Sequence, residues 1–281
     1  MSERSGAETD SKIVLITGST DGIGRAAALE AAGLGHSVIV HGRSEARVNA
    51  VIHEIRQRGG ETGIEPRGVT ADLSSLADVR ALARRLRHDL PRLDVLINNA
   101  GVISRTRRVS RDGYELTFAV NHLAHFLLTT DLLDLITKSA PARIVNVSSM
   151  VHYGAEIDFD DLMLEPHYDG RRAYEQSKLA NVLFTTELTR RLDGTGVTAV
   201  SLHPGVINTK VLHEYFSGGA PTEQGARNVL IPALDPAYAD LTGAYFSDAR
   251  PRDPDPAGTD SDTARRLWEV SEELLSSCTF F

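Results

Sequence analysis

A second cysteine is missing from this chain: Cys278 is the only one in 281 residues. No internal disulfide can form, so the fold must rest on its core, and a lone thiol suits a reducing compartment. Long apolar runs are missing too. None approaches the roughly 18 residues of a bilayer-spanning helix. The opening MSERSGAETDSK is polar where a secretory signal would need an apolar stretch. A cytoplasmic protein with no membrane partner is therefore expected. The third absence is an excess of positive charge. Lys and Arg number 30 against 38 Asp and Glu, a net charge of −8. That leaves no electrostatic footprint for nucleic acid or an anionic lipid surface. What remains is 41% hydrophobic, ordinary for a globular protein, and long enough to bury a sizeable core. Neither repeats nor a second domain stand out.

Short apolar runs alternate with helical stretches. Residues 13–17, IVLIT, form an unbroken apolar run, as in a strand buried on both faces of a parallel sheet. Further strands are expected at 37–41, 67–70, 94–98, 143–147, 197–202 and 244–247. Helices are expected at about 44–58, 112–137, 173–192, 222–234 and 262–276, with a Pro/Asp-rich loop before the last. Ser75 with Asp78 resembles a capping box for the helix after the third strand. Strands alternating with helices of this length imply an α/β fold with a right-handed, doubly wound sheet.

The first strand runs into Gly18-Ser19-Thr20-Asp21-Gly22-Ile23-Gly24 and then an Ala-rich helix. In that setting glycines bring backbone N–H groups up to a pyrophosphate at a helix N-terminus. The second strand ends in His41-Gly42-Arg43-Ser44, with no acidic residue to bond a ribose 2′-hydroxyl. A guanidinium at that point grips a 2′-phosphate with two parallel bonds, so NADP(H) is favoured over NAD(H). Asp21 is a mild counter-signal. Asp72, after the third strand, falls where an adenine amino group could be read. Asn121 sits amid apolar residues and needs hydrogen-bond partners if buried. His122 and His125 have no third ligand nearby and read as structural, so no metal is expected. Ser148 and Ser149 stand at the C-terminal end of the fifth strand, the edge where ligands bind in open α/β sheets. The connection 150–173 carries Tyr153, Ile157, Phe159, Met163 and Tyr168, which either wall an apolar pocket or fold over the core. Residues 210–221, with Tyr215, Phe216 and Ser217-Gly218-Gly219, suggest a mobile lid. The closing CTFF is apolar.

Tyr174 and Lys178 are four apart on one helical face. An ammonium beside a phenol favours the phenolate and is expected to lower its pKa from the ordinary value of about 10. Such a pair is a proton donor and acceptor in waiting.

Thr17-Gly18-x-x-x-Gly22-Ile23-Gly24, Asn98-Asn99-Ala100-Gly101, Asn121, Ser149, Tyr174-x-x-x-Lys178 and Pro204-Gly205 occur in the order and approximate spacing of the short-chain dehydrogenase/reductase family. The resemblance spans about residues 12–248. VNHLAHFLLTT, SKLANVLFTTEL and RRLWEVSEELL look like the retinol dehydrogenase-like branch. No N-terminal anchor of the kind frequent in that branch is read, so its retinoid substrates are not expected here.

The resemblance implies a Rossmann-type, doubly wound parallel sheet in one domain at 12–281, after a loose tail at 1–11. Substrate loops are expected near 150–173 and 206–221. It makes Tyr174 the general acid or base and Ser149, rather than Ser148, the hydrogen-bond donor to the substrate oxygen. Lys178 would hold the nicotinamide ribose, and Asn121 a water beside it. Cofactor contacts would come from residues 18–24, Arg43, Ser44, Asp72, Leu73, Asn99, Ala100, Gly101, Tyr174, Lys178, Pro204, Gly205, Ile207 and Thr209. Ser149 and Tyr174 are farther apart than in compact members, which should enlarge or roof the substrate site. The expected activity is NADP(H)-dependent interconversion of a ketone and a secondary alcohol with a fairly large apolar body. The alternatives are a non-catalytic NADP(H)-binding sensor and, less favoured by the glycine spacing, a sugar-nucleotide epimerase. Related proteins often pair through the helices carrying Asn121 and Tyr174, so a homo-oligomer, a dimer or tetramer, is compatible.

Overall fold

Apolar residues at every position of a short run should give strands buried from both sides, and they do. The computed structural model describes residues 11–58, 65–215 and 217–277. The expected tail up to residue 10, the GGETG connection, Phe216 and the closing CTFF with Cys278 lie outside the described residues. The first half of the chain is β1 (Ile13–Ile16), α1 (Gly22–Gly33), β2 (Ser37–Gly42), α2 (Glu45–Arg58), β3 (Arg67–Thr70), α3 (Leu76–Asp89) and β4 (Val95–Asn98). Next come α4 (Leu116–Phe118), a π-helical turn at Ala119–Leu123, α5 (Ala124–Lys138), β5 (Ala142–Val147), α6 (Gly170–Arg191) and β6 (Val197–His203). The chain closes with α7 (Lys210–His213), α8 (Thr222–Leu234), β7 (Tyr245–Ser247), β8 (Arg250–Arg252), α9 (Pro256–Thr259) and α10 (Ser261–Ser277).

One eight-stranded sheet runs β3-β2-β1-β4-β5-β6-β7-β8, parallel except for the antiparallel β8 at its edge. Successive side chains of a strand point to opposite faces. Leu15, Ile39, Leu96, Ile144 and Ala199 accordingly meet α3, α5 and α6 in one core layer. Val14, Ile16, Val38, Val40, Ile97, Val145 and Val200 meet α1, α2 and α8 in the other. Strand order reverses between β1 and β4, and in open α/β sheets the crevice at that switch point takes the ligand.

Two elements differ from the sequence reading. The helix expected from 112 begins at Leu116 and is interrupted by the π turn that carries Asn121. The Pro/Asp-rich loop contains β8 and α9. Much of the 150–173 connection folds over the core. Ile157, Phe159 and Met163 pack against a third cluster with Leu179, Leu183, Ala264 and Leu267, while Tyr153 stays 49% exposed. The capping box is half made: the Ser75 hydroxyl accepts from Asp78 N–H at 3.2 Å.

α10 lies along α5 and α6. Trp268 packs on Phe126 at 4.7 Å and Phe184 at 5.7 Å between ring centroids, under the Arg191 guanidinium. The buried Ser271 hydroxyl bonds His122 Nε2 at 2.9 Å, tying α10 to the π turn.

Candidate active site

The glycine turn at the end of β1 is shaped by contacts a side chain would break. Gly18 and Gly22 sit at φ of +66° and +54°, the left-handed region glycine tolerates. A Cβ on Gly24 would lie 2.5 Å from both Asn99 Nδ2 and the Gly18 carbonyl. The turn closes on β4: Thr17 Oγ1 accepts from the N–H groups of Asn99 and Ala100 at 2.9 and 3.0 Å, and Asn99 Nδ2 donates to the Thr17 carbonyl at 2.9 Å. Asp21 caps α1 through Gly22 N–H at 2.9 Å. Its carboxylate pairs with Lys210, which with the cap holds it below the usual carboxylate range. A backbone free of side chains at the start of α1 fits a pyrophosphate.

Several expected cofactor residues take on narrower parts. Ser19 is buried; its N–H donates to the His41 carbonyl at 2.9 Å and its hydroxyl to the Ile16 carbonyl at 2.8 Å. It serves the turn, where both its N–H and its hydroxyl are engaged. The Leu73 side chain is part of the core, leaving only its backbone for the site. Asp72 Oδ1 accepts from Ser74 N–H and hydroxyl at 3.0 and 2.9 Å. Ile23 packs on the core layer of α1 and α8. Thr20 lies against Gly42, whose Cβ would meet it at 2.5 Å, and so brings the turn beside Arg43 and Ser44. Both of those are exposed, and no ion pair engages Arg43 among the described residues.

The tetrad of Asn121, Ser149, Tyr174 and Lys178 assembles at the C-terminal edge of β4 and β5. Asn121 is fully buried and satisfied. Its Oδ1 accepts from Val102 N–H at 2.8 Å, and its Nδ2 donates to the Val102 carbonyl and the Ser177 hydroxyl, both at 3.0 Å. Lys178 is buried, donates to the Val147 carbonyl at 3.1 Å, and sits 5.3 Å from the centre of the Tyr174 ring. Gly101 keeps the space beside that ammonium open: its missing Cβ would lie 3.6 Å from Nζ. The two serines separate cleanly. Ser148 donates to the Lys178 carbonyl at 2.6 Å and is engaged within the core. The Ser149 hydroxyl stands beside the Tyr174 phenol.

The electrostatics run against the simple expectation. Burial pushes the Tyr174 phenol up to about 12, and the neighbouring Ser149 hydroxyl only partly offsets this. Burial also brings Lys178 down to about 8. The ammonium lies over the ring and donates to a backbone carbonyl, so desolvation outweighs its pull on the phenolic oxygen. At neutral pH the phenol carries its proton.

On the opposite wall, Gly205 has φ +98°, and the Pro204 carbonyl accepts from Asn228 Nδ2 at 3.0 Å. Ile207 is buried and bridges to Ala220; Thr209 caps α7 and lies against Gly22. The segment is held from outside by Arg105, whose guanidinium donates to the Glu214 carbonyl at 2.6 Å and stacks over Tyr215. Beyond Ser149 opens a groove of about 570 Å³, lined by Met150, Tyr153, Val206, Tyr245 and Arg252 among others. Met150, Tyr153 and Val206 are each about half exposed there.

The sequence reading took His125 as structural and Thr17 as part of the glycine motif without naming their partners, and it gave no role to His41 or His152. His41 Nδ1 accepts from Gly18 N–H at 3.1 Å. His125 joins the Asn121 carbonyl at 3.1 Å to the Thr17 hydroxyl at 2.9 Å, linking the tetrad to the glycine turn. The four-residue spacing from Asn121 was the available signal. Among the described residues no metal-binding cluster occurs, and no helix is long and apolar enough to cross a membrane.

Residues 12–219 match the family described as short chain dehydrogenase. Human retinol dehydrogenase 14 is 41% identical over 291 residues, covering 94% of this chain and 86% of that protein. Human retinol dehydrogenase 12 is 40% identical, covering 97% and 89%. The crystal structure of an uncharacterised protein from Mycobacterium paratuberculosis superposes at a TM-score of 0.79 with 32% identity over 96% of each chain. A short chain dehydrogenase from Burkholderia cenocepacia, solved in complex with NADP, shares the fold at a TM-score of 0.68 and 23% identity, covering 84% of this chain and 95% of that one.

Proposed function

The chain belongs to the short-chain dehydrogenase family, in its retinol dehydrogenase-like branch, and on that premise we propose that it is an NADP(H)-dependent oxidoreductase. Its substrate is a carbonyl compound, or the matching alcohol, with a fairly large apolar body. The observation that carries this reading is the placing of Ser149 beside the Tyr174 phenol with the Lys178 ammonium over the Tyr174 ring, at the edge that also bears the glycine turn.

A bound nicotinamide supplies or accepts the hydride. The chain's own residues handle the proton and the oxygen. Tyr174 donates its proton to the carbonyl oxygen in reduction and takes one back in oxidation. A phenol held protonated at neutral pH suits the donor's part. Ser149 donates a hydrogen bond to the same oxygen, where negative charge gathers in the transition state. Lys178 holds the ribose beside Gly101, and Asn121 fixes the loop from Gly101 to Val102 against it. Residues 18 and 20–24, with Asn99 and Ala100, cradle the dinucleotide; Arg43 and Ser44 take the 2′-phosphate. The half-exposed Met150, Tyr153 and Val206 support an apolar substrate body. A cytoplasmic location goes with this reading.

The test is a panel of aryl ketones, aliphatic ketones, diketones and retinaldehyde, followed by loss of NADPH absorbance and repeated with NADH. Turnover of at least one member, faster with NADPH, is expected. Arg43→Ala should weaken NADPH by about 10- to 100-fold, the worth of a charged hydrogen bond or two, and leave NADH nearly unchanged. Equal losses for both would refute the 2′-phosphate assignment.

A further inference from the structure

The loop that carries Ser149 is fastened to a distant part of the chain. After Ser149 the backbone makes a 3-10 turn, Met150–His152. From there three successive residues bond one short segment. His152 Nε2 accepts from Asp255 N–H at 3.0 Å, the Tyr153 hydroxyl donates to the Asp253 carbonyl, and Gly154 N–H donates to Asp255 Oδ2 at 2.9 Å. On its other side, His152 Nδ1 lies 2.7 Å from the Ser149 carbonyl. A carbonyl only accepts and a backbone N–H only donates. One neutral tautomer satisfies both, with the proton on Nδ1 and Nε2 bare. The ring is fully buried, between Tyr153 at 4.2 Å and Tyr245 at 4.7 Å. Nothing in the proton and oxygen chemistry above uses this imidazole.

The Ser149 hydroxyl has a weak anchor of its own. Its bond from Val151 N–H is 3.4 Å long, near the limit at which such a contact orients anything. The short bond on the Ser149 carbonyl is the firmer hold, and it acts on the residue whose hydroxyl must meet Tyr174.

We propose that His152 is a positioning residue for the reaction: from the Asp253–Asp255 segment it grips the Ser149 backbone and so holds the serine hydroxyl against the Tyr174 phenol. This rests on the oxidoreductase reading, and Tyr174→Phe is the control for that reading. If the parent and Tyr174→Phe reduce a carbonyl equally, the reading fails and not the role of His152.

The variants are His152→Asn, whose amide nitrogen reproduces the Nδ1 donor, and His152→Gln, whose amide reaches only the Nε2 position. His152→Phe keeps the ring and removes both bonds. Each is assayed in the full chain with NADPH and 1-phenyl-1,2-propanedione. His152→Gln and His152→Phe should lose kcat at least tenfold, with NADPH Kd by fluorescence within about twofold of the parent. His152→Asn should recover several-fold over His152→Gln. Equal kcat in Asn and Gln, or a parental kcat in Gln, overturns the proposal; this comparison stands even where His152→Phe does not fold. Free of any turnover, ¹⁵N spectra of the histidine rings should show His152 protonated on Nδ1 at pH 7. An Nε2-protonated ring also overturns it.

Discussion

Two neighbouring serines show how little separates a structural hydroxyl from one placed for chemistry. Ser148 points back at the Lys178 carbonyl at 2.6 Å, and Ser149 points out to the phenol. Ser149→Ala should therefore cut turnover by about 10²–10³-fold, the worth of one donor to a developing oxyanion, with melting temperature unchanged. Ser148→Ala should instead cost about 1 kcal/mol of stability, the net value of a buried hydrogen bond. A denaturant titration beside a rate assay tells the two apart. The reverse assignment would move the active hydroxyl to Ser148. The residue types of the site were legible in the sequence because their spacing is fixed by a helix and two strand ends. The direction of the Tyr174 shift was not. A four-residue spacing reports that two side chains are neighbours. It does not report that both are desolvated, nor that the ammonium lies over the ring face at 5.3 Å.

At the level of elements, the parallel strands were readable because apolar runs with glycine turns admit few other structures. β8 was not, since Arg250-Pro251-Arg252 reads as loop: Pro251 cannot donate to a ladder and both arginines are exposed. Those features belong to an edge strand, which charge and proline protect from further pairing. The turn before it needs positive φ at Asp248 and Ala249, +51° and +57°, without the Asn-Gly signature that would announce it. The π turn was equally silent, for it adds one residue to a helix whose composition does not change. α10 was read as a helix, but its partner was not. It covers apolar side chains of α5 and α6, so pairing through those helices would require it to leave. Light scattering should accordingly give the mass of one chain, or of an oligomer that survives surface substitutions on α5 and α6. Trp268→Ala, costing about 3–5 kcal/mol as large aromatic truncations do, should lower the melting temperature and expose that face. A dimer cross-linked from α6 to α6 in the parent would contradict this.

Across the whole molecule, the sheet edge gathers the glycine turn, the tetrad and the groove at one end. Besides His152, four buried histidines are held neutral. Burial brings His122 and His125 down to about 3, and His41 and His203 to about 4, from an ordinary 6.5. Below pH 6.5 the unfolded chain takes up protons on these rings that the folded chain refuses, so stability falls as pH falls. Each histidine removes roughly 1.4 kcal/mol per pH unit until its folded value is reached. Melting temperature should drop steeply between pH 6.5 and about 4; a flat profile there would mean that these rings are solvated. The central claim, though, concerns one phenol. Its most direct test is the rate of NADPH oxidation by Tyr174→Phe at saturating cofactor and carbonyl. A fall of about 10²–10⁴-fold, the usual worth of a positioned proton donor, with NADPH affinity held within about twofold, is predicted; turnover equal to the parent's would contradict it.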